Sequence, residues 1–163
     1  MLKRITTEFI DIEDRIRLSG ECENTEQVIL WFTQRLLQRL LPLLFQWLEG
    51  QPSDKQYGEI MQSIALQAAK AALPPERPIQ PDKSSATWLV SVVDLTPYEN
   101  RIDLVFRGIE GQRASLRMEA TPLRQWLNII HAAYCRAGWN RGFWPAWFQS
   151  DKPTTREKKA SLH

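Results

Sequence analysis

Cysteine and histidine are scarce in this chain: two of each, Cys22, Cys135, His131 and His163. The cysteines are far apart and neither sits in a C-x-x-C pattern, so no disulfide framework or cysteine-ligated zinc site is suggested and a reducing compartment fits. His131 and Cys135 are four residues apart on a predicted helix and share a face, yet two ligands do not make a metal site. A nucleophile with its base is equally hard to assemble. There is no G-x-S-x-G, no glycine-rich phosphate loop and one internal histidine. Neighbouring acids such as Glu13 and Asp14 suit turns, since adjacent strand residues point to opposite faces. The expectation is a non-enzymatic protein with no cofactor, no metal and no catalytic residue.

Long apolar runs are also missing. The greasiest stretch, QRLLQRLLPLLFQWLEG, carries Arg35, Arg39 and Pro42, and is too short and too charged for a membrane span of about 20 apolar residues. It predicts a buried helix. The N-terminal MLKRITTEFIDIEDR turns charged before any apolar run of signal length, so no export signal is read and a cytoplasmic protein is expected. Charge of one sign is in short supply as well: 21 basic against 19 acidic residues leaves +2, too little to announce a nucleic-acid binder by net charge. Lysine is absent from Ser84 to Ser150. Every cation there is an arginine, whose planar fork pairs with carboxylates or phosphates and stacks on rings.

What is present suits a folded α+β chain. With 163 residues, 43% hydrophobic and 25% charged, it has the size and composition of one domain that can bury a core, expected over 1–150. Residues 3–12 suit a strand. From Arg15 to Cys22, Ile16, Leu18, Gly20 and Cys22 alternate with polar neighbours, the period-two mark of a strand with one dry face. QVILWFT, Gln27 to Thr33, is rich in β-branched and aromatic residues and reads as a third strand, although Asn24 or Thr25 could cap a helix starting here. An almost wholly apolar helix follows over 34–49, then a second over 54–73 with an apolar stripe of Tyr57, Ile60, Met61, Ile64, Ala68 and Ala72. PPERPIQPDKSS, 74–85, is an extended, exposed loop. Three more strand-like runs, TWLVSVVDL, RIDLVFRGI and QRASLRMEA, precede a last helix with Thr121 as cap, Pro122 at its first position and Gly138 past its end. Residues 151–163 are polar and expected to be disordered.

The order strand, strand, strand, helix thus occurs twice, over 3–49 and 86–138. EDRIRL at Glu13 is echoed by ENRIDL at Glu99, and the same offset sets Leu30 on Leu116 and Leu41 on Leu127. The plan is two antiparallel β-β-β-α units with an extra helix after the first, each covering the other's apolar face. Internal duplication is one reading; two hairpins that merely share an alternation is the other.

Two surfaces are candidates for function. GWNRGFWPAWFQS places Trp139, Phe143, Trp144, Trp147 and Phe148 within ten residues, more aromatic surface than water tolerates, so it either folds back on its own chain or contacts a protein partner, a second copy included. Along the strands, Arg15, Arg17, Arg101, Arg107, Arg113 and Arg117, with Trp31, fall on the wet faces. Cations with an aromatic could hold single-stranded nucleic acid, phosphates on the arginines and bases on the ring. The bland alternative is a solvated sheet whose arginines pair with Glu21, Asp103 and Glu119 across strands. The duplicated plan is similar in general architecture to single-stranded DNA regulators such as the Whirly and PUR proteins, with no motif of theirs matched, and that likeness implies the nucleic-acid role. The residues themselves favour a binding or assembly protein that works through protein contacts, as a homodimer.

Overall fold

The computed structural model describes residues 1–51 and 58–148; the expected tail, 151–163, lies outside them. β1 (Leu2–Ile10), β2 (Arg15–Cys22) and β3 (Gln27–Phe32) pair antiparallel in chain order. The β1–β2 connection is a single helical turn closed by Asp14, which takes the left-handed conformation at φ 50°. Ile16, Leu18, Leu30 and Phe32 are buried, so the alternation seen in the sequence does set the dry face. Gln27 to Phe32 is a strand, and the helix cap falls later, at Thr33, whose Oγ1 accepts a hydrogen bond from the Leu36 amide at 3.2 Å. The cap opens α1 (Gln34–Glu49), which buries Leu37, Leu40, Leu41, Leu44, Phe45 and Leu48. α1 is less uniformly covered than its composition suggests, because Leu43 faces solvent at 49% exposure.

The run expected as one strand, TWLVSVVDL, is two. β4 (Ala86–Leu89) adds to the first sheet, parallel to β3, giving the order β1-β2-β3-β4. β5 (Val92–Pro97) then opens a second, antiparallel sheet with β6 (Ile102–Arg107) and β7 (Arg113–Met118). The switch lies between Val90 and Ser91: the Val90 amide donates to Trp31 O in the first sheet and the Ser91 amide to Arg107 O in the second. One buried cluster draws on both sheets and all three helices. Within it Phe32 meets Phe106 edge to face, centroids 5.3 Å apart, an arrangement that matches a ring's positive edge to its negative face.

The halves correspond closely past their first strands. Ile16 opposes Phe32 and Ile102 opposes Met118, the same register 86 positions on. The first strands break the match, since Phe9 opposes Ile16 whereas Leu95 opposes Leu104. Gly20 stands where the second unit has Phe106, and a Cβ there would approach a Leu2 methyl to 2.7 Å. Any two hairpins that bury one face share such alternation, so duplication is not established.

α2 (Gly58–Ala72) is rotated from its expected orientation. Gln62, Leu66 and Ala69 face inward, while Ile60 and Ile64 are 69% and 56% exposed; Tyr57 lies outside the described residues. Polar ties set this face. Gln62 Nε2 donates to Leu48 O at the end of α1, and Gln125 and Asn128 of α3 (Ala120–Ala137) donate to the carbonyls of Ala69 and Leu66. Such bonds outweigh the apolar stripe because a buried amide left unpaired costs about 1–3 kcal/mol. α3 starts one residue before the expected cap: Glu119 is the N-cap residue, and its carbonyl accepts from the Leu123 amide. Gly138 ends the helix at φ 68° as expected of a left-handed terminator. The proline-rich loop is exposed apart from half-buried Pro81 and Ser85 and from Ile79, which is buried and whose amide donates to Thr6 Oγ1 at 2.9 Å.

Candidate functional site

The aromatic segment after α3 folds back on its own chain. Trp139, Trp144, Trp147 and Phe148 are buried and Phe143 is half-buried. Phe45 of α1 contacts Trp144, Trp147 and Phe148 at centroid distances of 4.9, 6.0 and 5.8 Å. Tyr134 of α3 meets Trp139, Phe143 and Trp144 edge to face. Two indoles are anchored by hydrogen bonds, Trp139 to Asp14 and Trp147 to Glu49. Rings this enclosed stabilise the fold, and they present little surface to a partner.

His131 sits in the same shell. Phe148 stacks on its ring at 5.3 Å and Trp144 meets it edge-on at 4.9 Å. Burial, with the nearby charges of Arg141 and Lys70, holds its imidazole below the ordinary histidine range. Cys135 Sγ lies 4.0 Å from His131 Nδ1 and accepts from the Arg141 guanidinium at 2.9 Å. Among the described residues no three His, Cys, Asp or Glu come together as metal ligands. Nor is any described helix long and apolar enough to cross a membrane.

The arginines stay off the core, with Arg107, Arg113 and Arg117 exposed and Arg15, Arg17 and Arg101 half-buried, and most of the cations are engaged. Arg17 pairs with Glu8 at 2.7 Å, Arg107 with Asp94 at 2.7 Å, and Arg117 with Asp103 at 3.0 Å. Arg101 reaches Asp103 at 3.4 Å and lies 4.4 Å over the Tyr98 ring. Glu21 pairs instead with Arg4. The Arg117 guanidinium holds the Asp103 carboxyl below the usual carboxylate range. Among the described residues Arg15 and Arg113 have no ion pair. Trp31 is half-buried on the first sheet, opposite Arg17 on β2 and Leu89 on β4. The cations therefore divide between two sheets, with Trp31 on the first and Tyr98 in the turn after β5, and do not form a continuous stacking platform.

The outward face of α2 carries what the sequence assigned to the core. Ile60 and Ile64 lie one turn apart in solvent, with Ala68 exposed a further turn on. Glu59 in the first turn of α2 and Lys70 in the last lie off this face, Glu59 beside Pro145 and Trp147 and Lys70 on the side of His131. Hydrogen bonds to α1 and from α3 set which side of α2 turns in, and no periodicity in the sequence signals them. Comparison with protein-family models, with curated proteins and with solved structures finds no match.

Proposed function

We propose that this is a non-enzymatic assembly protein that self-associates as a homodimer through the outward face of α2. The exposed Ile60–Ile64 pair is the observation that carries this reading. Large aliphatic side chains adjacent on one helix face suit a twofold pairing of α2 with itself. An isologous contact of this kind repeats every interaction, so each isoleucine counts twice. Full burial of an isoleucine contributes about 1.5–3 kcal/mol, and association costs roughly 4–15 kcal/mol. Four isoleucines per dimer leave a modest balance. A weak, concentration-dependent dimer follows.

Light scattering over a concentration series tests this. Mass should rise toward twice the monomer value, and Ile64→Asp should return it to monomer without changing the circular dichroism. A wild-type chain that stays monomeric throughout, or an Ile64→Asp variant that dimerises equally, would rule the surface out. Single-stranded nucleic acid on the arginine faces has less support, since Arg17, Arg101, Arg107 and Arg117 already hold carboxylates.

A further inference from the structure

Pro75, Pro78 and Pro81 recur at every third residue in the loop that leads from α2 to β4. Proline fixes its own φ at about −65° and drives the residue before it out of the helical region, toward extended or polyproline II backbone. With Pro74 added, these two effects govern every position from Leu73 to Pro81 except Glu76 and Ile79. Residues 73–82 accordingly carry neither helix nor strand. A polyproline II helix has about three residues per turn, so such a loop has three edges, and burial tells them apart. Glu76 and Ile79, three positions apart, lie on the edge turned to the first sheet. Glu76 pairs with Arg4 at 3.7 Å, and Ile79 is buried with its amide on Thr6 Oγ1. Arg4 also donates to Arg77 O at 2.8 Å. The other two edges face water, with Pro75 and Pro78 exposed and Pro81 half-buried on one, and Arg77, Gln80 and Lys83 exposed on the other.

Domains that read polyproline II take a ligand by two of its three edges: pairs of a residue and the proline after it enter an aromatic-lined groove, and the residue between the pairs points away. Arg77-Pro78 and Gln80-Pro81 are two such pairs, and Ile79 is the residue between them. The side chain that a groove would leave out is thus the one the sheet has taken in. Lys83 follows the second pair, and among the described residues neither it nor Arg77 has an ion pair. We propose that residues 75–83 are a docking segment for a partner domain with an aromatic-lined groove flanked by carboxylates, which reads them as P-x-x-P-x-K.

An SH3 domain that binds P-x-x-P-x-K peptides is the probe, titrated calorimetrically with the full chain and with a synthetic peptide of residues 73–84. The chain should bind at least as tightly as the peptide, because a loop anchored through Ile79 has less conformational freedom to lose. Replacing both prolines, Pro78→Ala with Pro81→Ala, should abolish binding while the circular dichroism stays that of the wild type. Lys83→Glu should weaken binding about tenfold, one charge-assisted contact's worth. Lys83 is exposed, so that variant stands even if the proline variant misfolds. A peptide that does not bind, a chain that binds more weakly than its own peptide, or undiminished binding in either variant would overturn the proposal.

Discussion

Tyr134 carries a buried hydroxyl that has no partner among the described residues. Burial pushes its phenol up, away from ionisation. Tyr134→Phe removes the orphan group and keeps the ring that Trp139, Phe143 and Trp144 touch. It should raise stability by about 1 kcal/mol, read as a higher urea midpoint at unchanged slope; a lower midpoint would reveal a partner for the hydroxyl. His131 makes a pH prediction. Its folded pKa is depressed, so the unfolded chain takes up the proton first as pH falls. Stability is constant well above pH 6.5 on this account, and declines as pH falls through that value toward the folded pKa. His131→Phe, which copies Phe45 at the corresponding place in the first unit, should flatten that decline. Urea unfolding at several pH values would show an unchanged slope if the histidine were not responsible.

Among the elements, the segment 139–148 is a structural strap, and Phe45 is the residue it grips. Phe45→Ala should destabilise by about 3–5 kcal/mol, the usual cost of emptying a buried phenylalanine site, and shift tryptophan emission to the red as Trp144 and Trp147 meet water. Emission unchanged alongside a small loss of stability would mean that the strap holds without it. These contacts bear on how much of the molecule the sequence disclosed. Period-two alternation around Ile16 and Leu104 was legible because a half-buried strand writes its dry face directly into the chain. The break at Val90 and Ser91 was not, because the dry parity shifts there from Trp88 and Val90 to Val93 and Leu95 with no turn residue to mark it, and the apolar Val92 masks the shift. The orientation of α2 was illegible for another reason. Ile60 and Ile64 outrank Leu66 and Ala69 by hydrophobicity alone, and what overrules them are carbonyl bonds from Gln125 and Asn128, residues more than fifty positions away. The arginines' parity could be read as well. That four of them hold carboxylates depends on which strands pair, as with Arg107 and Asp94 on β6 and β5.

At the scale of the whole molecule, everything turns on whether two copies meet through the outward face of α2. A carboxylate placed in that contact faces its own copy across the twofold without a partner, whereas one placed elsewhere on the surface stays in water. Sedimentation equilibrium on the wild-type chain, on Ile60→Glu and on Ile109→Glu, a control at an exposed position between β6 and β7, separates the two. Ile60→Glu should abolish the dimer and Ile109→Glu should keep the wild-type constant. A wild-type chain that stays monomeric, a dimer that survives Ile60→Glu, or one lost equally in Ile109→Glu would contradict the α2 pairing and the assembly role built on it.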